Sequence, residues 1–301
     1  MILAAIDIGS NAARLLIVDV QKTEQQTNFN KVNLIRVPLR LGLDVFQDAL
    51  IGPKREAMLI NTMQAYRHLM DAYGVQQFRA CATSAMRDAK NNQEIIAKVQ
   101  QKAGIPIEII TGDQEASLVF ENHIAETLSR DKAYLYIDVG GGSTELNFFI
   151  KGEQVYKHSM NVGTIRLLNG QWQKEDWAEM KSEIKQKIKS DLPITAIGSG
   201  GNINKVFSMS KTKEGKPLSY RMLKNYYKQF SSLTVPQRIS QLKLRQDRAD
   251  VIVPALQIYI NIMRWTDAAE IYVPKIGVAD GLVRDLYAKL QENNRPVPVG
   301  D

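Results

Sequence analysis

The sequence predicts an α/β protein in which one structural unit occurs twice. Two observations predict it. A strand, a glycine-bearing turn and a second strand occur around Asp7 and again around Asp138, roughly 130 residues apart. Between and after them, short apolar runs alternate with stretches of helical periodicity, the pattern of a mixed α/β architecture rather than of a short-period solenoid. The 301-residue length fits two domains, each large enough to bury its own core.

Each element follows from local pattern. Ile2 to Ile8 is apolar apart from Asp7 and reads as a strand, Gly9-Ser10-Asn11 as a turn, and Leu15–Val20 as the returning strand. Val32–Leu41 is a third strand candidate. Pro53 to Tyr73 has helical spacing, Phe78–Ala82 is a short strand, and Asn91–Ala103 is a helix stopped by Gly104. Ile107–Ile110 is a strand, after which Thr111-Gly112-Asp113 opens a helix with Asp113 as its expected cap and Leu118, Val119, Phe120 and Ile124 as its apolar positions. The pattern then starts afresh with Tyr134–Val139, the turn Gly140-Gly141-Gly142-Ser143, and Glu145–Ile150. Lys151-Gly152 makes a hairpin turn into Glu153–Ser159. Trp177, Met180, Ile184 and Ile188 mark one face of a helix. Ile194–Ile197 runs into Gly198-Ser199-Gly200-Gly201 and a further helix, and Ala269–Val273 is a late strand in a mostly helical remainder.

Composition narrows the class. Hydrophobic residues make up 44% and charged residues 24%, which argues against a disordered chain, a collagen or a coiled coil. No apolar run approaches the ~18 residues of a membrane span. Met1–Asp7 has no basic region and reaches an acid too soon for a leader, so a cytoplasmic location is expected. The single cysteine, Cys81, can form no intrachain disulfide and reads as a small core residue. Three histidines and one cysteine leave little for a zinc site. The net charge of +7 is uneven: residues 1–121 carry 13 basic and 13 acidic groups, whereas residues 181–248 carry 15 and 4. A field of that sign attracts polyanions, although a basic face that is merely solvated has the same composition.

The turns carry the chemistry. Asp7 at a strand end, followed by Gly9-Ser10-Asn11, can aim a carboxylate at a metal while backbone N–H groups face an anion, with Arg14 on the next strand. A plain hairpin would also account for that turn. Asp138-Val-Gly-Gly-Gly-Ser-Thr-Glu145 is more pointed: Gly140, Gly141 and Gly142 let backbone approach a phosphate without Cβ interference, at an entropic cost, and Ser143 adds a hydroxyl. Asp138 and Glu145 flank it, and two carboxylates beside a phosphate loop suit Mg²⁺. The strand-to-helix turn containing Gly200 and Gly201 is a third phosphate-capable site, since a helix N-terminus offers unpaired N–H groups.

Taken together, DIGSN, DVGGGSTE and IGSGGN resemble the actin-like ATPase superfamily of paired ribonuclease-H-like domains. More narrowly the chain resembles the exopolyphosphatase/guanosine pentaphosphate phosphatase (Ppx/GppA) family in its short two-domain form. Ala82-Thr-Ser-Ala-Met-Arg-Asp-Ala89 is similar to that family's ATSAxRxA segment, and Ile110-Thr-Gly-Asp-Gln-Glu-Ala116 to its I(S/T)GxEEA segment. The resemblance extends to about residue 285, through Gly277-Val-Ala-Asp-Gly-Leu282.

The resemblance implies two ribonuclease-H-like domains facing a central cleft: residues 1–124 completed by a helix at 280–292, then 125–279, with a loose tail at 293–301. It implies hydrolysis of terminal phosphoanhydride bonds in polyphosphate or guanosine pentaphosphate, with Glu115 as general base and Arg87 and Arg14 as charge-stabilising arginines. Asp138, Glu145 and Asp7 would hold Mg²⁺ or another divalent cation. Position alone would make Glu115 an ordinary first-turn acid favoured by the helix dipole. Two departures from the family pattern stand out: Ala12 where a hydroxyl is usual, and Gln114 where the first Glu of EEA is usual. The rival readings are an ATP-dependent kinase or ATPase of the same superfamily, and a non-catalytic sensor of phosphate or of guanosine penta- or tetraphosphate. Neither a membrane nor nucleic acid is an expected partner, and a homodimer is left open.

Overall fold

The computed structural model describes residues 1–24, 26–120, 131–274 and 277–293. The expected boundary at 124/125, Ile124 and the tail from residue 294 lie outside these residues.

The first sheet forms from β1 (Ile2–Ile8), β2 (Ala13–Lys22), β3 (Thr27–Val37), β4 (Gln77–Ala82) and β5 (Ile107–Ile109). Its order is β3-β2-β1-β4-β5, with β1, β2 and β3 antiparallel and β4 and β5 parallel to β1. β1 is buried on both faces, as a continuous apolar run at the centre of a sheet should be. The second sheet forms from β6 (Ala133–Val139), β7 (Thr144–Ile150), β8 (Glu153–Met160), β9 (Ile194–Ser199), the two-residue β10 (Leu218–Ser219) and β11 (Glu270–Tyr272). Its order, β8-β7-β6-β9-β11-β10, repeats the first sheet strand for strand and adds β10 at the edge. Each sheet thus has the ribonuclease-H-like arrangement, and the duplication seen in sequence is a duplication of topology.

Register places equivalent residues opposite each other. Asp7 lies across from Arg14 in the first sheet, and Asp138 across from Glu145 in the second. The two returning turns therefore open at the same end of their sheets.

Three apolar clusters hold the molecule. Ile6, Leu15, Leu59, Met63, Ile95 and Val99 pack one face of the first sheet under the helices Pro53–Ala72 and Asn92–Ala103. Leu135, Phe148, Met180, Ile184, Phe230 and Ile262 do the same for the second. The third cluster joins Leu3, Ala5, Leu16, Val18 and the fully buried Cys81 to Val278, Leu282 and Val283 of the helix Val278–Asn293, and to Tyr136 and Ile197 of the second sheet. The final helix thus covers the first sheet while its cluster reaches the second.

Most elements fall where pattern put them, including the Lys151-Gly152 turn, with φ of 54° and 89°. β3 differs: it spans 27–37 rather than 32–41. Pro38 has no N–H to continue the ladder, and the chain leaves the sheet so that Arg40 N–H donates to the Asn11 carbonyl and Gly42 N–H to the Ser10 carbonyl. Helices of five to seven residues at 42–48, 84–88 and 164–168 are too short for periodicity to reveal. Among the described residues, no helix is long and apolar enough to cross a membrane.

Candidate active site

The two glycine turns meet face to face. A Cβ on Gly141 would lie 2.8 Å from the Ser10 Cβ, so only glycine permits this approach. Gly142 is packed against Phe46 and Ser84 of the other unit, and its carbonyl accepts from Arg166 Nε at 2.8 Å. Arg166 also pairs with Asp88 at 2.5 Å and stacks 4.1 Å above the Phe46 ring. Ser10 Oγ shares a hydrogen bond with Ser84 Oγ at 2.7 Å and accepts from Ala85 N–H. Across the mouth, Asn11 Nδ2 donates to the Asp247 carbonyl, and Arg36–Asp247 and Arg40–Asp250 each pair at 2.5 Å.

Between the turns lies a cleft with a cavity of about 160 Å³. Asp7, Gly9, Ser10, Asn11, Arg14, Glu115, Asp138, Gly140, Gly141, Ser143, Gly200 and Gly201 all line it. Three of the sequence-derived residues do not. Gly142 serves packing between the units, Arg87 is turned to donate to the Ile110 carbonyl at 2.9 Å, and Glu145 sits behind the wall at 1% exposure. Ser143 Oγ and Ser159 Oγ both donate to Glu145 Oε1, at 2.6 and 3.0 Å.

Four carboxylates, Asp7, Asp138, Glu145 and Glu115, share this region. Asp7 accepts a 2.6 Å bond from Arg14. Asp138 is pushed up to about 6 by burial and by the charge of Asp7, against the pull of Arg14. Glu145 is pushed up to about 7 by burial and by Asp138, with its serine hydrogen bonds opposing. Glu115 is nine-tenths buried, and its Oε2 has no hydrogen-bond partner among the described residues. Burial first, then the charges of Glu145, Asp138 and Asp7, hold it well above the usual carboxylate range, with Arg87 opposing. The helix dipole acts the other way and loses.

Glu115 stands in the first turn of the helix Gly112–Phe120. The expected cap, Asp113, is not the cap. Thr111 Oγ1 accepts from Gln114 N–H at 3.1 Å, and Gln114 Oε1 accepts from Thr111 N–H at 2.8 Å. Gln114 is therefore an exposed capping residue that does not line the cleft, whereas Ala12 does line it.

Sequence reasoning missed Thr83, Ser84 and Arg248. Thr83 and Ser84 follow β4 as Gly200 and Gly201 follow β9, so the first unit has its own counterpart of the third turn. The similarity of the ATSAxRxA segment was the available signal. Arg248 donates to Asn202 Oδ1 at 3.2 Å and has no carboxylate within ion-pair distance among the described residues. Burial, Arg36 and Arg14 lower it to about 10, so it stays charged at neutral pH. In sequence it was only one more cation of the 181–248 surplus. Arg221, Lys224 and Lys228 of that stretch are exposed on the helix Tyr220–Ser231, whose Leu223 and Phe230 are buried and whose Tyr226 and Tyr227 pack on the core.

Two ribonuclease-H-like units facing a cleft of glycine turns, arginines and buried carboxylates define the actin-like ATPase architecture. Within it the chain belongs to the Ppx/GppA phosphatase family, whose model matches residues 17–290. It is 30% identical over 229 residues to the bifunctional 3-dehydroquinate synthase/phosphatase of Fusobacterium nucleatum, an alignment covering 70% of this chain and 34% of that protein. It is 32% identical over 171 residues to exopolyphosphatase 2 of Mycobacterium tuberculosis, covering 54% and 53%. The chain thus spans about a third to a half of the length of these relatives. The crystal structure of an exopolyphosphatase from Cytophaga hutchinsonii superposes over 100% of both chains, with a TM-score of 0.83 at 23% identity, which shows the shared fold.

Proposed function

We propose that the chain hydrolyses the terminal phosphoanhydride bond of a polyphosphorylated substrate, inorganic polyphosphate or guanosine pentaphosphate. One observation carries the reading. Glu115 places a buried carboxylate, whose Oε2 has no hydrogen-bond partner among the described residues, on the wall of a cleft that it shares with glycine turns, Arg14, Arg36 and Arg248, and the acids Asp7 and Asp138. A carboxylate held well above its usual range takes a proton from water more readily than an ordinary one. The attacking oxygen bonds to the terminal phosphorus, the anhydride P–O bond breaks, the chain shortened by one phosphate leaves as the anion, and the water's proton goes to Glu115.

The turn N–H groups, Ser10 and Asn11 would hold the phosphoryl oxygens, with Arg14 and Arg248 balancing charge as it develops. In phosphoryl transfer, preorganised donors of this kind lower the barrier more than any other contribution of the protein. Arg87, anchored on Ile110, would act from behind by steadying Glu115 and Glu145.

The donor set fits Mg²⁺. Asp7 and Asp138 on the cleft wall are oxygen donors of the kind Mg²⁺ takes, an ion bound through one or two carboxylates that keeps water and substrate oxygens. Asp138 is the wall carboxylate available to it; Asp7 is shared with Arg14, and Glu145 would contribute from behind Ser143. Mg²⁺, when bound, neutralises phosphate charge and relieves the repulsion among these acids.

Phosphate release from polyphosphate, guanosine pentaphosphate and ATP, assayed side by side with Mg²⁺, tests the reading. Release from one or both of the first two, well above ATP, is expected. Release from ATP alone, or from none, would overturn it.

A further inference from the structure

The helix carrying Glu115 belongs to the first unit, but it rests on β7 and β8 of the second. Its first residue, Gly112, is buried directly over Ser159 of β8: a Cβ on Gly112 would overlap both the Oγ and the Cβ of Ser159. The same Ser159 Oγ donates to Glu145 Oε1 at 3.0 Å. The next atom such a Cβ would meet is that Glu145 Oε1, at 3.7 Å, an ordinary contact. A single β-strand residue thus touches the carboxylate of one unit and the seat of the helix bearing the proposed base of the other.

We propose that Ser159 is a positioning residue: its hydroxyl holds Glu145, and its bulk sets where Gly112 rests, so that one side chain fixes Glu115 relative to Glu145. Ser143 reaches the same Glu145 oxygen from within its own turn, but the atoms nearest a Cβ on Gly112 are those of Ser159 and Glu145. Among the described residues, Ser159 is the side chain that combines the hydrogen bond to Glu145 with the overlap at Gly112. The kinetic part of this inference rests on the hydrolase reading above; the packing part does not.

The test is a cycle of Gly112→Ala, Ser159→Gly and the double variant, with Ser159→Ala as the hydroxyl deletion. Each is followed by thermal unfolding and by phosphate release from the better substrate. Gly112→Ala alone should lower Tm and cut kcat by about 10²-fold, because displacement by about 1 Å at a reacting group has that effect. In the Ser159→Gly background, where the overlapping atoms are gone, adding Gly112→Ala should change Tm little and kcat by less than about twofold, the non-additivity of residues in contact. Ser159→Ala should lower kcat about tenfold with KM and Tm near wild type, the usual cost of removing a partner that orients a functional side chain. Additive losses across the cycle, or a Ser159→Ala variant with wild-type kcat, would overturn the proposal. If the wild type releases no phosphate from any substrate, the hydrolase reading falls, and additivity in Tm alone still decides the packing claim.

Discussion

The turn from Asp7 to Arg14 and the turn from Asp138 to Glu145 occupy the same place in duplicated sheets, yet they are built with opposite electrostatics. In the first, the residue across from the aspartate is a guanidinium that pairs with it at 2.6 Å. In the second, it is another carboxylate, Glu145, and both acids rise well above their ordinary range. The lesson is that duplication supplied two copies of an anion-facing turn, and one cross-strand position divided the labour. The first turn neutralises its acid and aims a cation into the cleft. The second concentrates unneutralised acid beside Glu115, the condition under which a carboxylate can serve as a base near neutral pH.

Between the two turns, the largest expected effect on turnover comes from removing that cation. Arg14→Ala should lower kcat by about 10²–10³-fold, the usual loss of a donor preorganised for developing charge. Steady-state kinetics checks it, and a loss below about fivefold would leave Arg14 as a partner of Asp7 only.

The same substitution at the two equivalent aspartates should then have opposite effects on stability. Asp7→Asn breaks a pair whose acid is buried and whose arginine is about a third exposed, and should destabilise by about 2 kcal/mol. Asp138 is held at about 6 against an ordinary 3.8, so the folded state binds its proton more tightly than the unfolded state. Its contribution is favourable below the ordinary value and is lost as pH rises through about 6. In metal-free protein at pH 8, Asp138→Asn should therefore stabilise by on the order of 3 kcal/mol, fading to nothing near pH 4. Thermal unfolding from pH 4 to 8 reads both variants. A shift of the same sign at pH 8 would break the comparison. In phosphate release, Asp138→Asn should also raise the Mg²⁺ midpoint, and an unchanged midpoint would remove Asp138 from the metal.

The smallest effect concerns the exposed cations. Neutralising Arg221, Lys224 and Lys228 together should raise KM severalfold for long polyphosphate and little for a short oligomer, because only the long chain leaves the cleft. The long-chain advantage should shrink as the Debye length falls from ~10 Å at 0.1 M salt to ~3 Å at 1 M. Equal changes for both lengths would make this face a solvated one.

Much of this was legible in sequence. The doubled strand–turn–strand pattern gives the fold class because each turn needs glycine and each central strand needs an unbroken apolar run. Asp138, Gly140 and Gly141 stand on the cleft wall, where a glycine run beside an acid has few uses but to face an anion; Asp7 and Glu115 line it too, although position alone fitted a hairpin turn and a first-turn helix acid, and the family resemblance was what singled Glu115 out. What was not legible depends on neighbours distant in the chain. Glu145 turns to Ser159 only once β8 pairs with β7, Gly142 faces Phe46 only once the units meet, and Arg248 gains its place through Asn202, 46 residues away. The cap at Thr111 was readable: a threonine followed three residues later by glutamine is a capping box, and the adjacent aspartate drew attention from it.

The central claim, that Glu115 takes the proton of the attacking water, is tested most directly by Glu115→Gln, a nearly isosteric change that removes the base and keeps the shape of the cleft. Substrate binding by calorimetry and phosphate release at saturating Mg²⁺ should be measured on the same preparation. Binding within a few-fold of wild type, with turnover lowered by about 10²–10⁴-fold, is the predicted result. A folded variant that keeps more than half of wild-type turnover would contradict it.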